Sequence, residues 1–333
     1  MKALFSFLAV VILILVATLG VSVANLHYLF GIIIPYLAFV MFVGGFVYRV
    51  IKWGRSPVPF RIPTTCGQQK SLPWIKQNKI ENPTSVWGVI VRMALEILLF
   101  RSLFRNTKTE LREGANGPEL AYGSAKWLWV GSLVFHWSFL IIILRHLRFF
   151  LEPIPYFVQL LDGIDGMLQI GLPPIYLTDM FFVIAVTFLF LRRIVIPQVK
   201  YISLPADYFP LFMIFSIATS GILMRYFYKV DVVAVKELAI GLAQFHPVLP
   251  AGIGVLFYIH IFLISILFAY FPLSKLMHMG GIFLSPTRNM ISNNRMVRHI
   301  NPWNPEVEVH TYEQYEDEFR EKMKKAGIPV VKE

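Results

Sequence analysis

Cysteine is almost absent from this chain. Cys66 is the only one, so the sequence has no internal disulfide, no cysteine set for an iron–sulfur cluster and no Cys-x-x-Cys-His attachment site for a c-type haem. Any redox group it carries is held by other ligands. Charge is scarce too: charged residues make up 15% of the 333, whereas apolar residues make up 56%. An ordinary soluble domain carries about 25% charged residues. Between Ala3 and Tyr48 there is no charged side chain at all. Internal repeats and low-complexity tracts are also missing, which removes the sequence signature of a repeat-built transporter.

What remains is hydrophobic length. Mean hydropathy is +0.61, and several apolar runs reach the roughly 20 residues that an α-helix needs to cross a bilayer. The expected fold is an all-α, polytopic membrane helical bundle of six transmembrane helices, four of them forming the core. Residues 1–50 read as an N-terminal helix pair divided near Asn25-Leu26-His27. The first of these has the layout of a signal peptide and is expected to be a retained helix. Residues 51–123 read as a basic loop, proline-rich at first, with an amphipathic helix at the membrane surface over 86–104. Residues 124–280 hold four further spans, near 124–149, 175–196, 208–228 and 250–279. Residues 281–333 read as a polar tail that ends in a short charged helix and, with the basic loop, docks a partner subunit.

The net charge of +11 does not form a basic stripe among aromatics, so no nucleic-acid partner is expected. Lysine and arginine instead mark orientation. With the N-terminus inside, 26 of the 31 fall on the cytoplasmic side, leaving Arg145, Arg148, Arg225, Lys229 and Lys236 outside. Both termini are therefore expected in the cytoplasm, and the protein in the cell's inner membrane.

Histidine carries the chemistry. Ionisable groups at membrane depth are costly and mark function. His136 and His146 lie ten residues apart on the third span, and His260 and His278 eighteen apart on the last. Antiparallel spans match their depths in two pairs, His136 with His278 toward the cytoplasm and His146 with His260 toward the outside. Imidazoles on both faces of a porphyrin give a six-coordinate iron suited to electron transfer. Eighteen residues are five whole turns, so His260 and His278 are expected on one face about 27 Å apart; ten residues leave His136 and His146 about 80° apart around their axis. A kink at Pro272 is expected to absorb the mismatch. Arg145, Arg148 and Arg225 are candidate partners for haem propionates or quinone, and Gly131 and Gly221 for close approach of a porphyrin. Asp162, Asp165 and Asp179 read as loop residues on the same side. A zinc site would gather its ligands at one depth instead.

These spacings resemble the γ subunits of respiratory nitrate reductases, which are quinol-oxidising dihaem cytochromes b. The six-span layout, the long basic loop and the tail Arg-His-Ile-Asn-Pro-Trp-Asn at 298–304 resemble the DsrM family, the membrane cytochromes of the sulfite-reduction-associated Dsr complex. The resemblance implies two haem b groups, with His136 and His278 on the inner iron and His146 and His260 on the outer. It also implies menaquinone as the exchanging substrate, a cytoplasmic iron–sulfur subunit of the heterodisulfide reductase kind, and other subunits of a Dsr-type complex. The alternative readings are a cytochrome b subunit of another quinone-linked complex, such as nitrate reductase, heterodisulfide reductase or a hydrogenase, and, from a different class, a non-redox channel or transporter.

Overall fold

The computed structural model describes residues 1–56, 67–115, 117–167, 173–297, 306 and 308–332. Cys66 and the 298–304 motif lie outside these.

The long uncharged N-terminal stretch forms two helices. Helix α1 (Lys2–Ser22) ends where Asn25 takes a left-handed conformation (φ 54°), the C-terminal stop a short polar side chain tolerates. One π-helical turn (Leu29–Ile33) runs directly into α2 (Ile34–Gly54), and Pro35, which has no N–H to give to the continuing ladder, follows that turn. The following segment contains α3 (Val86–Leu99) and α4 (Arg101–Arg105). An antiparallel hairpin, β1 (Thr107–Gly114) and β2 (Gly117–Ser124), comes next, in register from Thr107 opposite Ser124 to Gly114 opposite Gly117. This two-stranded ribbon is the strand content of an otherwise helical bundle among the described residues. Thr107, Thr109, Leu111 and their partners Leu120 and Tyr122 supply the β-branched and cross-strand apolar pairing that a ribbon requires.

Helix α5 (Lys126–His146) starts the core region. It is followed by α6 (Tyr156–Asp165), α7 (Leu177–Val195), α8 (Pro197–Ile202) and α9 (Pro205–Ile222), which runs on through a π turn to Phe227. Then come α10 (Val232–Ala243), α11 (Val255–Tyr270), α12 (His278–Leu284), α13 (Pro286–Asn289) and α14 (Tyr312–Lys325). Five segments are long and apolar enough to cross a membrane, namely α1, α2 with its leading turn, α5, α9 and α11. The expected sixth span, α7, has the length, 19 residues, but carries Asp179, Arg192 and Arg193 near its ends.

In the bundle, α5 lies against α7 and α7 against α9. Helix α9 packs on α1 and α11, and α11 on α2. Met213 and Leu263 are fully buried where α1, α7, α9 and α11 meet; Leu238 and Tyr258 are buried in a second cluster nearer the other end of α1. Large apolar side chains such as Phe5, Ile12 and Leu19 point outward from α1, as lipid-facing residues do.

Side-chain contacts fix which helix ends share a level. Lys2 donates to Tyr201 O, Ser6 to Pro205 O (2.8 Å), Tyr208 to Arg193 O and Tyr270 to Ala206 O, while Lys275 pairs with Asp207 (2.7 Å). Gly45 of α2 sits against Pro272. The start of α1, the ends of α2, α7 and α11, and the start of α9 are therefore at one end of the bundle.

Candidate functional site

Helix α5 carries His136 and His146, with His136 near its middle and His146 at its last residue. Each ring is oriented by its own helix, since His136 Nδ1 bonds Ser132 O and His146 Nδ1 bonds Ile142 O, both at 2.7 Å. On α11, His260 Nδ1 bonds Ser220 Oγ of α9 at 2.8 Å; the Ser220 hydroxyl in turn donates to Ile217 O. His278 Nδ1 bonds Lys275 O at 2.9 Å. A carbonyl accepts only, so those three Nδ1 atoms carry the proton, and Ser220, already donating, imposes the same tautomer on His260. All four Nε2 atoms are thereby left with a free lone pair, and among the described residues none takes a hydrogen bond. This is the arrangement of a metal-binding imidazole held from behind.

The rings of His136 and His278 stand 5.9 Å apart at 85°. A metal-to-imidazole-nitrogen bond is about 2.0–2.1 Å. Two rings whose centres are 5.9 Å apart therefore have room for one iron between them. Imidazoles prepared in this way are a donor set suited to bis-imidazole iron. Among the described residues there is no cluster of three or more metal-ligating side chains, the arrangement a zinc site would need.

One expectation fails. His260 and His278 are not on a single kinked helix sharing a face. Helix α11 stops at Tyr270, and two 3-10 turns, Phe271–Leu273 and Lys275–Met277, separate it from α12, which His278 opens. Pro272 lacks the N–H needed to continue the ladder, and Ser274 turns extended (φ −112°, ψ 178°), its hydroxyl capping Leu276 N at 3.1 Å. The break frees His278 from the register of α11, which removes the angular mismatch.

At the other end of α5 the three arginines gather around Tyr176. The guanidinium carbons of Arg145 and Arg225 lie 3.7 and 3.8 Å from its ring centre, too close to share one face, so they stack on opposite faces. Arg148 donates to the Tyr176 hydroxyl (3.1 Å). Arg145 is 4% exposed and is already neutralised inside the protein, by Asp165 at 2.9 Å and Asp179 at 2.8 Å. Asp165 also accepts from Thr178 N and Oγ1, and Asp179 from the Tyr226 hydroxyl. Reading Asp165 as a solvated loop residue is thus overturned, because it is buried and anchors the network. Arg148 faces Asp162 only at 3.4 Å, and Arg148 Nε, Arg225 Nε and Asp162 Oδ1 are buried without a hydrogen-bond partner.

Gly131 belongs to helix packing, since a Cβ there would meet the Phe188 ring at 2.4 Å; Gly221 faces His260, where a Cβ would be at 3.4 Å. Sequence reasoning missed Ser220, Tyr176, Tyr226 and Phe100, whose ring lies 4.9 Å from that of His136. No spacing signal distinguished them, because each matters only through contacts made across the fold.

Residues 83–299 match the family of nitrate reductase gamma subunits. A protein of Archaeoglobus fulgidus described as an Hdr-like menaquinol oxidoreductase cytochrome b-like subunit is 45% identical over 284 residues, covering 83% of this chain and 84% of the relative. A protein of Archaeoglobus profundus with the same description is 41% identical over 283 residues, covering 83% of each.

Proposed function

Because the chain belongs to the nitrate reductase gamma subunit family, we infer that it is the membrane cytochrome subunit of a quinone-linked oxidoreductase, moving electrons between menaquinol and a partner subunit. Two haem b groups are bound, one by His136 and His278 and the other by His146 and His260. The observation that carries this reading is the shared preparation of four imidazoles, each with Nδ1 engaged and Nε2 open, with one pair 5.9 Å apart. When bound, the haems supply the one-electron redox change.

The chain's own residues orient the ligands, exclude water and manage charge. Arg148 and Arg225, each with a buried Nε lacking a partner, are the cations open to an anionic propionate or quinone oxygen. Arg145 keeps its role at that site by stacking on Tyr176, while its charge is met by Asp165 and Asp179. A quinol oxidised there gives up two electrons and two protons. Asp162, whose Oδ1 is free, is the carboxylate open to receive a proton.

The end of the bundle crowded with lysine and arginine faces the cytoplasm, which puts both termini inside a cytoplasmic membrane. There the basic loop and the tail meet an iron–sulfur subunit of the heterodisulfide reductase kind. The relatives' Hdr-like description supports that partner, and the resemblance of the 298–304 motif to the DsrM family supports a place in sulfur respiration.

Purified complex should show a b-type α band and two haems per chain by pyridine haemochrome. His136→Ala and His260→Ala should each retain one. A chain without the band, or variants that keep both haems, would refute the reading.

A further inference from the structure

Helix α3 is amphipathic the wrong way round for a helix in water. Ser85 caps its start by accepting from Gly88 N, and the helix then turns its polar residues into the protein. Arg92 is 6% exposed and donates to Thr287 O. Glu96 accepts from Ser102 N and Oγ and pairs with Arg288. Its apolar residues face out, with Trp87, Ile90, Val91 and Leu98 all between 48% and 77% exposed. Such a face suits hydrocarbon, not solvent.

The C-terminal carbonyls of α3 indicate its depth. A helix end needs partners for its last carbonyls, from water or from side chains. Here Trp129 Nε1 donates to Leu99 O (2.7 Å) and Trp137 Nε1 to Leu98 O (3.0 Å). Trp137 lies eleven residues into α5, about 16 Å from its start; its side chain leans back about one turn, which puts the contact roughly 10 Å inside the bundle. The chain reverses at Phe100, a non-glycine residue at φ 49°, and α4 runs back outward along α5, with Phe104 on Trp129 and under Lys126. Arg101 and Arg105 both reach back to Glu81. Strained backbone of this kind persists where the surroundings impose it, often at functional sites. What it places there is the Phe100 ring, edge-on to His136 at 4.9 Å and 88°.

The geometry points to a re-entrant wedge: α3, Phe100 and α4 dip into one leaflet from the side where α5 begins, the outer face of α3 lies in the acyl-chain layer, and Phe100 at the tip is a positioning residue for the His136 imidazole. The occupant of the exposed face is lipid, because that face continues the hydrocarbon-facing band of α5, to which the wedge is pinned at mid-span. The positioning role rests on the dihaem reading; the depth of the wedge does not.

The experiment has one arm for each claim. In a Cys66→Ser background, nitroxide labels at Val91→Cys and Leu98→Cys are compared with one at Leu111→Cys on the β-ribbon, all in proteoliposomes. The labels on α3 should relax more with oxygen than with a water-soluble nickel chelate, and the ribbon label the reverse. If Leu98 meets the chelate as freely as Leu111, the wedge is wrong. For the tip, Phe100→Gly removes the ring and suits the left-handed backbone, so folding is preserved. In a redox titration one of the two haem waves should shift and the other stay, with haem content unchanged and Phe100→Tyr returning the shifted wave toward the parent. Two unmoved waves would refute the positioning role. A parent protein holding no haem would overturn the dihaem reading and this role together, while the nitroxide result would still decide the wedge.

Discussion

Arg145 shows how strongly a single residue can be misread from its position in the sequence. Beside His146 at the end of a span it has the profile of a cation waiting for an anionic ligand, yet its charge is met by Asp165 and Asp179 and its plane by Tyr176. Asp165 is equally committed, since all its bonds run to Arg145 and Thr178. Removing one member of a buried pair leaves the other charge desolvated and unanswered, which costs about 3–5 kcal/mol. Arg145→Ala should therefore destabilise the folded chain by that order, read as a lowered unfolding midpoint in detergent. Arg148→Ala, which breaks a longer, partly exposed contact with Asp162 and one hydrogen bond to the Tyr176 hydroxyl, should cost less, about 1–2 kcal/mol. Equal losses from the two variants would mean the network is not the anchor its geometry describes. The histidines, by contrast, were readable, because a titratable ring in an apolar run is conspicuous before any contact is known. Their hydrogen-bond partners were not, because Ser132 and Ile142 act through backbone carbonyls and Ser220 lies on another helix.

Among the elements, uncharged length was legible and interruptions were less so. The break at Asn25 and the helix over the charged tail are where composition puts them. The β-ribbon was overlooked although the sequence carries Asn116-Gly117, a favoured hairpin dipeptide, and β2 begins at that glycine. Pro272 signalled a disturbance, but whether it kinks or ends a helix depends on Ser274 finding Leu276 N to cap. Helix α14 offers an element whose stability depends on pH. Thr311 and Gln314 form its capping box, and Glu316 accepts from the backbone amides of Lys332 and Val331, tying the last residues back onto the helix. Those two hydrogen bonds, Lys332 first and then Val331, hold the Glu316 carboxyl below its ordinary value. A depressed carboxylate stabilises the fold-back above the unfolded value, near 4.5, and that contribution is lost as pH falls through the folded value. Hydrogen exchange at Val331 and Lys332 should be slow at neutral pH and speed up as the medium becomes acidic, beyond the intrinsic trend. Glu316→Gln should show fast exchange throughout, and a pH-independent protection factor in the parent would contradict the assignment.

Over the whole molecule, the two ends of the bundle handle positive charge differently, and this is the basis of the orientation proposed for it in a membrane. At the end where α1, α5 and α9 start, the basic residues are numerous and several, among them Lys52, Arg55 and Lys200, are exposed; Lys275 is three-quarters exposed even while paired with Asp207. At the opposite end three of the five basic residues are met by carboxylates, with Arg145 and Arg148 facing aspartates and Lys236 paired with Glu152. Excess lysine and arginine in short loops stays on the cytoplasmic side during insertion, whereas long segments follow less strictly. The long basic segment alone would be weak evidence, but Arg192, Arg193 and Lys200 in the short α7–α9 connection point the same way. In right-side-out vesicles of a Cys66→Ser protein, Val233→Cys, on the exposed surface at the start of α10, should react with a membrane-impermeant maleimide. Leu111→Cys should react only after the vesicles are opened. The reverse pattern would invert the proposed orientation and move the His136–His278 pair to the outer leaflet.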